Sequence, residues 1–208
     1  MKTPWGYEVT GADDLPNMLS ESDFSVITAG KYSNDIRIRA SIDAASDGIR
    51  NYCGWHVCPP CACVFSERLL SSNGRIKRNG PDLFIQLPAT FVSEVGAVYI
   101  DGEAFDDFAF ETNGMLRLFD VPHCRTTRKT VVTVEYTAGI PDSMAGGIRE
   151  LVSGRVSRAL NNTNGVSSET AGGVSISYNS SWVNGGGAGA LQTADVDILD
   201  PFKLREVF

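Results

Sequence analysis

Two stretches of the chain place apolar residues every three or four positions, the spacing that puts them on one face of a helix. The first stripe, which predicts a helix from Ser33 or Asn34 through Cys53, comprises Ile38, Ile42, Ala45, Ile49 and Tyr52. The second predicts a helix after Pro141 and comprises Met144, Ile148, Leu151, Val152, Val156 and Ala159. Three glycines interrupt the second stripe, and each costs about 1 kcal/mol relative to alanine. The second helix therefore needs neighbours to hold it.

Between these helices the pattern changes to short apolar runs separated by turn residues. The runs predict strands at residues 63–70, 83–87, 97–100, 108–111, 115–119 and 130–136. Asn113-Gly114 separates the fourth and fifth runs and is a strong hairpin signal, because both residues tolerate positive φ. With no helix between the runs, the strands are expected to pair antiparallel. The predicted fold class is α+β, a small bundle of N-terminal and C-terminal helices with a large antiparallel β-rich insertion.

The same patterns divide the chain into segments of one predicted domain covering residues 1–208. Residues 1–19 are predicted to form an extended arm, and a short helix at 20–29 ends before Gly30. Residues 20–58 and 141–208 are predicted to form the helical core, and residues 59–140 form the insertion. The closing part of the chain predicts a short helix interrupted by Pro201, followed by an apolar tail.

Charge and targeting signals narrow the possible functions. The formal net charge is −7, and Lys and Arg do not cluster in long runs. A protein that holds DNA tightly needs a basic stripe, so we expect DNA to slide past this chain without sequence-specific binding. The N-terminus has no apolar signal region and no run is long enough to cross a bilayer. We therefore expect synthesis in a reducing cytoplasm and no membrane partner.

The segment that leaves the first helix carries an unusual density of metal-binding residue types. Cys53, His56, Cys58 and Cys61 supply the donors that tetrahedral zinc uses, with Cys63 close behind. Structural zinc sites usually take ligand pairs from two separated segments, and only His123-Cys124 could supply a distant pair. Gly54 alternatively fits the left-handed position that ends a helix, so that helix termination alone accounts for this segment.

No set of residues supports catalysis. The chain lacks a GxSxG motif, and His56 and His123 are its only histidines. The acidic pairs Asp13-Asp14 and Asp106-Asp107 fall in predicted loops, where solvated surface is the usual role of carboxylates. We therefore expect a protein that is not an enzyme and that carries no cofactor.

Several stretches resemble the head-to-tail connector proteins of tailed bacteriophages, also called head completion or adaptor proteins. Residues 24–57 carry most of the resemblance. They combine a short helix, a break at Lys31-Tyr32-Ser33, a helix containing Ala44-Ala45, and the exit Arg50-Asn51-Tyr52-Cys53-Gly54-Trp55-His56. Residues 136–141, followed by a long helix, are similar to the strand-to-helix return of that family. Residues 195–204 resemble its terminal helix, so that the resemblance covers about half of the chain.

The resemblance implies a structural virion protein at the head–tail interface. Members of the family form a ring, commonly of twelve subunits, that lies beneath the portal protein, extends the DNA channel and joins the capsid to the next connector or tail protein. Their C-terminal segment tends to dock on the portal, which here implies partner-binding roles for Phe202, Leu204, Val207 and Phe208. Two alternatives remain open, a zinc-stabilised binding module and another virion connector such as a stopper or tail terminator.

Overall fold

The alternating apolar segments form two antiparallel sheets. The computed structural model describes residues 1–11, 13–32, 34–69, 74–122, 129–161, 168–171, 174–177 and 191–204. The strands between the N-terminus and the third helix are β1 (Tyr7–Val9), β2 (Cys61–Arg68), β3 (Ile76–Asn79), β4 (Asp82–Gln86), β5 (Val92–Ile100), β6 (Glu103–Ala104), β7 (Phe108–Phe110), β8 (Met115–Leu118) and β9 (Val131–Ala138). Five of them form a sheet in the order β1-β2-β9-β5-β6, and four form a second sheet in the order β3-β4-β8-β7.

Strand β9 lies at the centre of the five-stranded sheet and sets its core face. Val132, Val134 and Tyr136 are buried, whereas the residues between them are half-buried or exposed. This is the two-residue alternation that the sequence predicts for a strand with one solvated face. On β2, which pairs antiparallel with β9, Cys63 and Phe65 are buried in the same way.

The four-stranded sheet is built on local hairpins. Strand β4 pairs with β3 and β8, and its Leu83 and Ile85 are fully buried. The chain turns between β7 and β8 at Asn113-Gly114, where Gly114 has φ +87°. A Cβ on Gly114 would lie 2.2 Å from the carbonyl oxygen of Ala89, so only glycine fits this turn. The predicted hairpin is therefore confirmed.

The helices are α1 (Glu21–Ile27), α2 (Ile38–Cys53), α3 (Gly146–Asn161) and α4 (Thr193–Leu199), and a 3-10 turn at Asp200–Phe202 follows α4. A two-stranded hairpin of β10 (Ser168–Ala171) and β11 (Val174–Ser177) lies between α3 and α4. Helix α2 packs against α3 and buries its predicted stripe at Ile38, Ile42, Ala45 and Ile49. Tyr52, the last member of that stripe, is only half-buried.

Contacts divide the chain into two compact units. The β unit comprises Met1–Pro16, Gly54–Asp142 and Phe202–Phe208, and the helical unit comprises Asn17–Cys53 and Ser143–Pro201. The predicted α+β class is confirmed by the presence of both helices and antiparallel sheets. Within the described ranges, no helix combines the length and the apolarity that a bilayer span requires.

Among the differences from the sequence-based expectation, two concern the first part of the chain. Helix α2 begins at Ile38 rather than at residue 33 or 34, because Asp35 organises a turn before it. The Asp35 side chain accepts a hydrogen bond from the Arg37 N–H at 3.0 Å, and its carbonyl accepts one from Ile38 at 3.1 Å. Residues 1–19, predicted as an extended arm, contain the edge strand β1, which pairs with β2.

Candidate functional site

The segment that leaves α2 is buried and its histidine is fully engaged. Gly54, with φ +78°, ends the helix as predicted, and Trp55, His56, Val57 and Cys58 are all buried. His56 Nε2 lies 2.7 Å from the carbonyl oxygen of Ala138, and His56 Nδ1 lies 2.8 Å from the Tyr7 hydroxyl. A carbonyl oxygen can only accept, so Nε2 carries the proton and Nδ1 accepts from Tyr7. Neither ring nitrogen is left to bind a metal.

The thiols of this region are directed at backbone groups. Cys61 Sγ donates to the carbonyl of Pro59 at 3.3 Å, and Cys63 Sγ donates to the carbonyl of Cys61 at 3.4 Å. Burial, with a smaller contribution from Cys61, raises the pKa of Cys63 to about 12 and keeps it a thiol. A protonated thiol is a poor metal ligand and a poor nucleophile.

The structure does not assemble the zinc site suggested by residue spacing. In the part of the chain that the structure describes, no three His, Cys, Asp or Glu side chains form a group that could hold a metal ion. Cys53, His56, Cys58 and Cys61 are all within that part, whereas His123 and Cys124 lie outside the described residues. Cys53, Cys58, Cys61 and Cys63 form no disulfide bonds. The buried segment thus serves as an anchor for the start of the β unit.

Helix α4 is fixed within the helical unit by a buried ion pair. Arg155 on α3 donates to the Asp195 carboxylate at 2.9 Å, and the Arg155 side chain is only 1% exposed. Arg158 donates to Gln192 at 3.1 Å, so α3 also holds the residue before α4. Gln192 N–H donates to Asp195 at 3.0 Å within the first turn of α4 itself. Burial lowers the pKa of Arg155, and the Asp195 charge opposes that shift. The Asp195 carboxylate therefore fixes the orientation of α4 relative to α3.

A second contact fixes the other end of α4. The Tyr52 hydroxyl, near the end of α2, donates a short hydrogen bond to the Asp200 carboxylate. This bond is the main reason that the pKa of Tyr52 is raised to about 12. Leu199, the residue before Asp200, is fully buried. The last turn of α4 therefore lies beside the last turn of α2.

The residues predicted to bind a partner begin where α4 ends. Within the β unit, Trp55 Nε1 donates to the carbonyl of Phe202 at 2.7 Å, and the Phe91 ring stacks on Trp55 and contacts Phe202. The centroid distances are 6.5 Å for Trp55–Phe91 and 6.1 Å for Phe91–Phe202. Phe202 and Leu204 are half-buried, and Val207 and Phe208 lie outside the described residues. The first two partner-binding candidates are thus positioned by their own chain.

The structure reveals a set of exposed apolar side chains in the helical unit. These are Val26 (79% exposed), Ile27, Ile36 (96% exposed), Met144 (61% exposed) and Ile198. One of them, Met144, was predicted to belong to the apolar stripe of the second helix, but it lies before α3 begins and is exposed. Val26 lies two residues after Phe24, the buried residue of α1, and Ile36 lies two residues before α2 begins, so neither continues a buried helix face. A single exposed apolar side chain is common on protein surfaces, whereas several that lie together indicate an interaction site.

Comparison with known proteins adds no relative. No protein-family model matches the chain, and no curated protein matches its sequence significantly.

Proposed function

We propose that this protein is a head-to-tail adaptor of a tailed bacteriophage virion. In this proposal, copies of the chain form a ring beneath the portal, extend the DNA channel and join the capsid to the next connector or tail protein. The twelve-subunit ring common in the resembling family sets the expected copy number. The role is structural, without catalysis or a cofactor.

One observation carries the proposal. Helix α2 lies within the first stretch that resembles connector proteins, α3 follows the second, and α4 overlaps the third. All three helices belong to the helical unit, whereas residues 54–57, 136–141 and 202–204 of those stretches belong to the β unit. Helix α2 packs on α3, the Arg155–Asp195 ion pair joins α3 to α4, and Tyr52 joins α2 to Asp200. Stretches that are far apart in sequence but resemble one family are expected to meet in its shared core.

We also infer that the β-rich segment is an insertion into a helical bundle. The chain leaves the helical unit after Cys53 and returns to it at Ser143, and all residues between, Gly54–Asp142, belong to the β unit. Nine of the described strands lie in the β unit, whereas α1, α2, α3 and α4 lie in the helical unit. An insertion of this kind leaves the bundle free to make the ring contacts and adds a separate surface for a further partner.

The portal is the proposed partner of the C-terminal segment. Phe202 and Leu204, followed by Val207 and Phe208, would present apolar side chains to it. The buried ion pair of Asp195 with Arg155 fixes α4, and the Trp55–Phe202 hydrogen bond fixes the start of the segment. A segment held at its base loses less conformational entropy on binding than a free tail does. The net charge of −7 suits a channel through which DNA must slide.

Co-assembly with the portal tests this proposal. The full-length chain is mixed with the portal protein encoded in the same phage genome, and the products are separated by sedimentation and imaged by electron microscopy. We expect an additional ring of density on one end of the portal. A chain truncated after Lys203 should bind the portal more weakly, whereas the Phe110→Asp variant, altered in the β unit, should bind as the unaltered chain does.

Other outcomes distinguish the alternatives. Binding to isolated tails but not to the portal would favour a stopper or tail terminator. Stoichiometric zinc in the purified protein, with unfolding by a chelator, would favour the zinc-stabilised module. Absence of binding to both portal and tails would overturn the adaptor proposal.

A further inference from the structure

The exposed apolar side chains of the helical unit lie at its two opposite ends. Arg37, just before α2, donates to the carbonyl of Leu160 at 3.4 Å, and Tyr32 donates to Asn161 at 3.0 Å. The start of α2 therefore lies beside the end of α3, and the two helices run antiparallel. Each has 16 residues, so the two ends of the pair are about 24 Å apart at 1.5 Å per residue.

One of these ends, the loop end, comprises Val26, Ile27, Lys31 and Ile36. The Phe24 ring of α1 stacks on Tyr32 with a centroid distance of 5.8 Å, which places the second half of α1 beside the loop that leads into α2. Lys31, Tyr32, Asn34, Asp35 and Ile36 line an open depression of about 390 Å³.

The opposite end, the α4 end, comprises Met144, Asp197, Ile198 and Asp200. Met144 lies two residues before α3 begins, and α3 begins where α2 ends. The Tyr52–Asp200 hydrogen bond brings the last turn of α4 to the same place. Ile198 is 49% exposed although its neighbour Leu199 is fully buried, so Ile198 faces away from the core of the unit.

The two ends carry complementary charge. At the loop end, Asp35 and Arg37 form an ion pair at 2.6 Å, and their charges cancel. Lys31 and Arg39 are further exposed cations at this end. At the α4 end, Asp197 and Asp200 are exposed carboxylates. Each end therefore combines exposed apolar side chains with exposed charges, and Lys31 and Arg39 at the loop end are opposite in sign to Asp197 and Asp200 at the α4 end.

We propose that the loop end of one copy binds the α4 end of a second copy of this chain. Ile198 of one copy packs on Ile36 in the depression of the next, and Asp197 pairs with Lys31. Because two different surfaces meet, the contact is head-to-tail, and each bound copy leaves one end of each kind for a further copy. Such a contact grows into a ring when the rotation between copies closes. This inference rests on the proposed adaptor role and assigns its ring contact.

Two variants with one damaged end each test the contact. Ile36→Asp damages only the loop end, and Ile198→Asp damages only the α4 end. Because both side chains are exposed, the fold should be retained in each variant, and circular dichroism tests this. The full chain and each variant are studied by sedimentation velocity over a concentration series. We expect oligomers larger than dimers for the unaltered chain, and for each variant alone a dissociation constant raised at least about tenfold.

Mixing the two variants gives the sharper result. Ile36→Asp keeps an intact α4 end and Ile198→Asp keeps an intact loop end, so an equimolar mixture should form heterodimers and stop there. Native mass spectrometry with one variant isotopically labelled identifies the heterodimer. Lys31→Glu should weaken association, and adding Asp197→Lys to the same chain should restore it. The matched control Phe110→Asp, which alters an exposed apolar residue of the β unit, should assemble like the unaltered chain.

The outcomes separate this inference from the adaptor role. If the unaltered chain stays monomeric at every concentration but binds the portal, the head-to-tail contact is overturned and the adaptor role stands. If only one of the two variants blocks assembly, the contact joins identical surfaces and the inference is also overturned. If heterodimers form but the chain does not bind the portal, the contact is supported and the adaptor role fails.

Discussion

The β unit and the helical unit differ in how completely each buries its own apolar side chains. Among the described residues, the large apolar side chains with substantial exposure are Met1 and Phe110 in the β unit, and Val26, Ile27, Ile36, Met144 and Ile198 in the helical unit. The β unit, with nine strands, thus exposes fewer large apolar side chains than the helical unit, with four helices.

The difference follows from how strands and helices satisfy their backbones. A strand needs hydrogen bonds from neighbouring strands, so a sheet assembles several strands together, and their inward side chains form one shared apolar face. A helix satisfies its backbone internally and depends on side-chain packing for its position. The helical unit therefore rests on a few specific contacts and has apolar surface left for partners.

The largest effect is expected from Trp55→Ala in the β unit. Trp55 is fully buried, stacks on Phe91 and donates to Phe202. Its removal should lower the free energy of unfolding by about 3–5 kcal/mol because it leaves a cavity and an unpaired carbonyl. Urea denaturation followed by circular dichroism measures this. Phe110→Ala, at an exposed site, should change the value by less than about 1 kcal/mol; equal effects of the two changes would contradict a core role for Trp55.

A somewhat smaller loss is expected from Asp195→Ala in the helical unit. The change leaves the Arg155 guanidinium buried without its carboxylate, which should cost about 3 kcal/mol. Thermal denaturation measures it, and Asp197→Ala on the exposed side of the same helix is the matched control. The double variant Arg155→Leu/Asp195→Ala should recover part of the loss, since no buried charge remains. A double variant less stable than Asp195→Ala would argue against the ion pair as the main anchor of α4.

The Tyr52–Asp200 contact predicts a shifted tyrosine ionisation. The pKa of Tyr52 is about 12 because the phenol donates to Asp200, so Asp200→Asn should move it towards the ordinary value of 10.0. Because the folded-state pKa is raised, this contact stabilises the fold fully below pH 10 and loses its effect as the pH rises from about 10 to 12. An ultraviolet titration detects the shift. Asp197→Asn, which acts on Tyr52 only through space, should change the titration less; no change with Asp200→Asn would exclude the hydrogen bond.

The smallest effect is expected at the loop end. Hydrogen bonds from Arg37 lower the pKa of Asp35 from 3.8 to about 2. A lowered carboxyl pKa stabilises the fold above pH 4, and that contribution is lost as the pH falls from about 4 to 2. Arg37→Gln removes the side-chain bonds to Asp35 but keeps the backbone N–H bond, so NMR titration should show the carboxyl pKa moved part of the way back towards 3.8. Because this pair is on the surface, the change in overall stability should be slight; a retained low pKa in Arg37→Gln would show that other groups cause the shift.

Local patterns were sufficient for most of the elements. The three-to-four spacing from Ile38 to Ile49 predicted α2, Gly54 predicted its end, and Asn113-Gly114 predicted the hairpin. In each case the information lies within a few residues of the element. Strand β3 was missed because Ile76 is its only apolar residue, and its strand geometry comes from pairing with β4.

The candidate sites were less accessible to sequence reasoning. His56 has the residue type and spacing of a zinc ligand, but its partners Tyr7 and Ala138 are 49 and 82 positions away. Likewise, the pairing of Arg155 with Asp195 spans 40 positions. No periodicity within a segment specifies which distant groups a side chain meets.

The sequence by itself determined where most of the helices and strands form, because hydrophobic period, glycine conformation and proline placement act over a few residues. It also determined the acidic charge and the absence of a recognisable catalytic motif. Only the tertiary structure decided that His56 is bonded through both ring nitrogens, that Asp195 fixes α4, and that Ile36 and Ile198 lie at opposite ends of one helical unit. Those facts depend on which elements pack together, and packing is a property of the whole chain.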